Sequence, residues 1–309
     1  MEVQVVETDR TLSIGELAER AGVSVKTVRF YSDRGLLPES ARSAGGHRRY
    51  APEALARLRL IRSLRALDLP LPDVGRALER EDVLEDVVAN HLRSLGSRLT
   101  ALRWREAALR LLRDCAAEER AERLELVGAV PVPPSTDPMA RFWRRWLGPA
   151  RLPAPVLNRV VELAVPQPPD EPNPAQVLAF ARLHAFTTGS CPPGAMQALT
   201  AHRPDAGLRP AVLYEGLDEA YELAAPDVLA GRAPAAGEAL DCFVTAHARS
   251  FGARDTPGFR RRLSGMLAVE PRIDRYWQLV GELRGPGQPT PGAAHTWLRS
   301  ALEHQVTAR

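Results

Sequence analysis

The stretch Ser24–Tyr50, SVKTVRFYSDRGLLPESARSAGGHRRY, restricts the architecture more than any other part of this 309-residue chain. Ser24 is of a helix-capping type. Behind it a short helix to about Arg34 places Val25 and Val28 to pack inward, with Lys26, Thr27 and Arg29 facing out. Gly35 supplies a left-handed stop, Pro38 follows shortly, and Gly45-Gly46 allows a tight hairpin between Arg42 and Tyr50. The hairpin ends on His47, Arg48, Arg49 and Tyr50. A short basic helix followed by a basic hairpin suits a nucleic-acid duplex, the helix in a major groove and the hairpin along phosphates.

The flanking residues complete that unit. In Leu12-Ser13-Ile14-Gly15-Glu16-Leu17, Ser13 can cap a helix with Glu16 as its capping-box partner. Gly22 ends this helix, so two short helices joined by a tight turn are expected, a helix-turn-helix. Pro52 begins a third helix with Leu55, Leu58, Ile61 and Leu64 inward, and a fourth starts near Pro72. Residues 20–65 carry eleven basic side chains against Asp33, Glu39 and Glu53, although the whole chain is only +3. That asymmetry marks one polyanion-facing module on an otherwise neutral protein.

The pattern TVRFYSDRGLLP, then Arg42, then GGHRRY, resembles the winged helix-turn-helix head of MerR-family transcription regulators. The resemblance extends over about residues 11 to 125. It implies that Lys26, Thr27 and Arg29 meet bases and backbone behind the cap Ser24, and that the Tyr31 hydroxyl reaches phosphate. It also implies a wing contributed by Arg42, His47, Arg48, Arg49 and Tyr50. His47 stands where the family usually has tyrosine, and Asp68-Leu69-Pro70 replaces the family's Gly-Phe-Ser before the fourth helix. Asp tolerates a left-handed turn and Pro suits a helix start, so the corner is expected to survive.

From Glu81 to about Leu126 there is no proline, and Val88, Leu92, Leu95, Leu99 and Leu102 alternate spacings of four and three. That is a coiled-coil seam, which Leu109 resumes after Glu106 interrupts it. The family resemblance implies pairing of two copies through an antiparallel coiled coil here, hence a homodimer on an inverted-repeat operator. Metal-binding members of the family place cysteines at the start of this helix and in the loop after it. Here Glu81-Asp82-Val83-Leu84 and VGAVPVPPSTDP hold none, so no metal site is expected and His91 reads as a helix-surface or seam residue. Cys115, Cys191 and Cys242 lie far apart and read as buried free thiols.

The proline-rich run VPVPPS is a natural boundary. The expected organisation is a head over 1–80, a dimerisation helix over 81–128, a linker over 129–136 and an all-helical domain over 137–309, mainly α throughout. In the last domain helices are expected around 137–147, 153–164, 174–187, 210–224, 236–250, 257–268, 270–283 and 292–307. No phosphate loop, nucleophile elbow or dinucleotide fingerprint occurs there, and its histidines are scattered. No catalytic residue and no cofactor are therefore expected.

Aromatic and acidic residues instead suggest a ligand lining: Trp143 and Trp146, then Tyr214, Glu215, Asp218 and Tyr221 on one helix. Such a set suits a bulky, partly cationic organic molecule. PAQVLAFARLHAFTTG also resembles a helix of the thiostrepton-induced antibiotic-binding domain carried by some MerR-type drug regulators. The function expected is a dimeric DNA-binding regulator whose C-terminal domain senses a hydrophobic effector. By the resemblance it distorts promoter DNA so that RNA polymerase engages. The alternatives are a C-terminal protein-interaction or ligand-sequestering module and, behind it, an enzyme. No stretch is long and apolar enough for a membrane span and no secretory signal is visible, so a cytoplasmic location is expected.

Overall fold

The computed structural model describes residues 11–148, 152–189, 208–267 and 271–308. It is mainly α, with 14 helices and three short strands among the described residues. The chain divides into two compact units, Met1–Ser97 and Arg98–Arg309.

In the first unit the helix-turn-helix is α1 (Ile14–Ala21) and α2 (Val25–Asp33). The Ser13 hydroxyl accepts from the Glu16 amide while the Glu16 carboxylate accepts from the Ser13 amide, so the capping box forms as the sequence implies. Three antiparallel strands, β1 (Leu12–Ser13), β2 (Ala41–Arg42) and β3 (Arg48–Tyr50), lie in the order β1-β3-β2. Leu12 pairs with Tyr50 and Arg42 with Arg48, so the wing hairpin is stitched back onto the entry to α1. Gly46, at φ +77°, closes the hairpin in a conformation that a side chain would strain. Helices α3 (Glu53–Ala66) and α4 (Leu71–Glu79) cover this assembly. The core gathers Leu17, Val28, Leu37, Tyr50, Leu58, Ile61 and Val74, with Val87 of the following helix. Val25, expected inward, is 41% exposed. As the first residue of α2 it precedes the turn whose inward position Val28 occupies.

Helix α5 runs from Glu81 to Asp114. The expected continuation to residue 128 fails: the chain turns at 115–119 and resumes as α6 (Arg120–Gly128). Neither Gly nor Pro marks the break. Tertiary packing overrides propensity there, because the turn lets Val127 and Val130 pack against the C-terminal core.

The second unit continues through α7 (Asp137–Leu147), α8 (Ala154–Ala164), α9 (Pro174–Thr188), α10 (Pro210–Leu229), α11 (Glu238–Ser250), α12 (Pro257–Met266), α13 (Pro271–Arg284) and α14 (Pro291–Thr307). Five of these have proline at the helix start behind an extended cap residue, where a missing N–H costs nothing: α8, α9, α10, α12 and α14. One core joins Met139, Phe142, Trp143, Phe180, Leu183 and Tyr276 to Trp104 of α5. Trp104 meets Phe180 edge-on at 5.2 Å between ring centroids. A second core holds Leu240, Phe243, Leu263 and Leu298. Among the described residues no helix is long and apolar enough to cross a membrane. Cys115 is buried and Cys242 half-buried, both as free thiols, and Cys191 lies outside the described residues.

Candidate nucleic-acid interface and ligand cavity

Helix α2 presents its outer face as the sequence implies. Ser24 caps it, its hydroxyl accepting from the Thr27 amide at 3.1 Å and meeting the Thr27 hydroxyl at 2.9 Å. Lys26 and Arg29 are exposed, and among the described residues neither has an ion pair. Arg49 on the wing is likewise without a carboxylate partner, and His47 is exposed beside the turn. These four side chains are available to phosphates and base edges.

The other wing arginines are engaged. Arg48 reaches Asp33 at 2.6 Å and Glu39 at 3.3 Å, and Glu39 also holds Arg42 at 3.0 Å. The Asp33 carboxylate at the end of α2 holds the Arg48 guanidinium above its ordinary pKa. Arg48 therefore braces the hairpin against α2, while Arg42 is tied to Glu39 within the wing itself. Two aromatic expectations change. Tyr50 is 0% exposed and Tyr31 only 9%, so both rings are core side chains. Strand alternation turns Tyr50 toward the core while Arg49 faces outward. Three arginines of α3 are tied to backbone carbonyls: Arg57 donates to Leu36 and Leu78, Arg62 to Ala21 and Arg65 to Leu69.

In the second unit six helices, α7, α8, α10, α11, α13 and α14, wall a cavity of about 320 Å³. Tyr214, Leu217, Asp218 and Tyr221 follow helical spacing on one face of α10 and all line it, as do Trp143 and Trp146. Glu215 does not. One residue on from Tyr214 it lies about 100° around the helix and is exposed. Sequence reasoning missed Trp277 and Asp274 of α13, His247 of α11, and Gly292 and His295 of α14. Only helix packing brings these residues to α10, and no local pattern marks them. Gly292 permits the closest approach: a Cβ there would stand 2.0 Å from Trp277 Cγ, so the indole lies directly on its backbone.

Burial dominates the electrostatics. The Tyr221 hydroxyl meets His295 Nδ1 at 3.0 Å. His247 Nδ1 donates to the Phe243 carbonyl at 2.9 Å. The Tyr221 phenol is pushed well above its ordinary pKa by burial, then by Tyr214 and the Asp218 carboxylate. Burial pulls His295 down to about 4, with His247 and Arg299 adding to the effect, and burial lowers His247 too. Both imidazoles are neutral near pH 7. Unfolding returns the His295 imidazole toward 6.5, so between about 6.5 and 4 the unfolded chain binds the extra proton. Stability is therefore lost as pH falls through that window, by about 3 kcal/mol at most. Thermal melts at about pH 7 and about pH 5 should show a smaller loss in His295→Gln than in the parent. Equal losses would dismiss His295 as the titrating group.

Residues 12–81 match the MerR HTH family regulatory protein model. The N-terminal domain belongs to the MerR family. Nodulation protein NolA of Bradyrhizobium elkanii is 41% identical over 99 residues, covering 31% of this chain and 45% of that protein. The mercuric resistance operon regulatory protein of Serratia marcescens is 39% identical over 71 residues, 23% of this chain and 49% of that protein. Among solved structures, the transcription regulator PbrR691 of Ralstonia metallidurans CH34, in complex with lead(II), is 38% identical. That match covers 34% of this chain and 89% of the other, at a TM-score of 0.31. The chain spans somewhat under half the length of the NolA and mercuric regulators it matches. Within the MerR head the corner before α4 holds as expected: Asp68 takes φ +61° and Pro70 caps the helix. Among the described residues no group of three or more His, Cys, Asp or Glu side chains could hold a metal ion.

Proposed function

We propose that this protein is a dimeric, one-component transcription regulator. Its MerR head reads an inverted repeat in double-stranded DNA, and its C-terminal unit binds a hydrophobic small molecule. The observation that carries this reading is the aromatic cavity of about 320 Å³ in a chain that also bears a MerR head. Trp143, Trp146, Tyr214, Asp218 and Tyr221 form much of its wall, and the volume suits a compact organic ligand. The C-terminal unit is a binding module in this reading and not an enzyme.

Pairing of two copies is supported by α5, where Val88, Leu92, Leu95, Leu99, Leu102 and Leu109 are all exposed. Apolar side chains at heptad spacing on one helix, left open to water, are what a coiled-coil partner covers. The same helix gives Trp104 to the core that includes Trp143, so a ligand pressing on Trp143 acts on the packing that holds α5. Response to the ligand requires different ligand affinities in two conformations. The output would be distortion of promoter DNA so that RNA polymerase engages.

A mobility-shift titration on the DNA upstream of the gene tests the head. Lys26→Ala and Arg29→Ala should each weaken binding and flatten the slope of log affinity against log salt by about one. Titrating compact hydrophobic compounds into the full chain, read by heat and by tryptophan fluorescence, tests the cavity. Salt-independent DNA binding, or no binder across a broad panel, would sink the corresponding half of the proposal.

A further inference from the structure

We infer that the cavity of the C-terminal unit selects a lipophilic monocation, an aromatic organic ammonium or iminium, with Asp274 holding the charge. This rests on reading that cavity as the effector site and names the ligand class it takes.

The wall is rich in ring faces, with Trp143, Trp146 and Trp277 alongside two tyrosines, and such faces attract cations. Its charged residues are of one sign. Asp218 and Asp274 line the cavity, and no arginine or lysine is among its described lining residues. The two histidines add no positive charge near pH 7, because burial keeps both neutral. An anionic ligand would therefore enter a chamber that opposes it.

The two carboxylates are not equivalent. Asp218 accepts from Arg159 at 3.1 Å, so its charge is already offset. Asp274, half-buried in the first turn of α13, has no hydrogen bond or ion pair among the described residues. Its partial desolvation leaves the carboxylate seeking a counter-charge. It also stands at a junction. Asp274, Trp277 and Gly292 line both the aromatic chamber and a neighbouring groove of about 650 Å³. The groove is walled by Gln278, Gln288, Thr296 and Ser300 among others. A ligand placed by these features puts its aromatic body against Trp143 and Trp277, its cationic nitrogen at Asp274, and any polar extension in the groove.

Three bicyclic probes of similar shape and different charge test this on the full-length protein: 1-methylquinolinium, 1-methylnaphthalene and 1-naphthoate. Tryptophan fluorescence is the readout. The cation is expected to bind at least ~10-fold more tightly than the neutral probe, and the anion most weakly. Asp274→Asn should cost the cation ~10-fold or more and leave the neutral probe unchanged, whereas Asp218→Asn should cost the cation less than ~3-fold. If cation and neutral probe bind alike, or Asp274→Asn leaves the cation's affinity intact, charge selection is refuted while the cavity remains an effector site. If none of the three binds, the effector reading fails and this inference falls with it.

Discussion

A full-length variant carrying Leu95→Glu and Leu99→Glu is expected to sediment as a monomer and to bind operator DNA ~10²–10⁴-fold more weakly than the parent. The two side chains are 43% and 49% exposed, so their replacement leaves each protomer's own packing intact. In a paired seam the same positions bring four carboxylates into a desolvated interface with no compensating cation, which a coiled coil does not tolerate. The DNA consequence follows from effective concentration. A head whose partner is already docked finds the second half-site as an intramolecular event, and a monomer loses that advantage. The thermal transition of the head should stay where it is in the parent, separating loss of pairing from loss of folding. A variant that still sediments as a dimer would place the pairing surface elsewhere.

What the sequence made legible was local. The capping box of Ser13 and Glu16, the hairpin turn at Gly46 and the corner at Asp68 each depend on a few neighbouring residues, and each formed as read. The helices from α7 onward were legible because proline and glycine punctuate their ends. Features that depend on distant partners were not. The strand Leu12–Ser13 exists only because Tyr50 and Arg49 pair with it. The break after Asp114 has no breaker residue and lets the half-buried Val127 and Val130 pack against the C-terminal core. Charge is ambiguous for the same reason. Arg29 and Arg62 look alike in a basic stretch and both are exposed, yet only Arg62 is tied to a backbone carbonyl, that of Ala21. One wall of the cavity could be read along α10 from the spacing of Tyr214, Asp218 and Tyr221. Trp277, Asp274, His247 and His295 joined it only through the packing of other helices.

Tyr50 turns that distinction into a measurement. A tyrosine ending a basic wing invites a phosphate contact, and Tyr50→Phe would then weaken DNA binding while leaving the fold untouched. Its place in the structure predicts the opposite pattern. With 0% exposure, in a core with Leu17, Val28, Leu58 and Ile61, the ring supports the junction between wing and helix-turn-helix. Tyr50→Ala should therefore destabilise the head by about 3–5 kcal/mol, the usual result of emptying a buried aromatic site. That is comparable to the whole stability of a small domain, so the head should melt and DNA binding should disappear with it. Tyr50→Phe keeps the ring and should bind DNA within about threefold of the parent, with the melting temperature little changed or slightly raised, because the buried hydroxyl near Arg48 makes no hydrogen bond among the described residues. Paired melts and mobility shifts on both variants distinguish the two roles. If Tyr50→Phe abolishes binding without moving the melt, the hydroxyl contacts DNA and the wing must rearrange on the duplex to expose it.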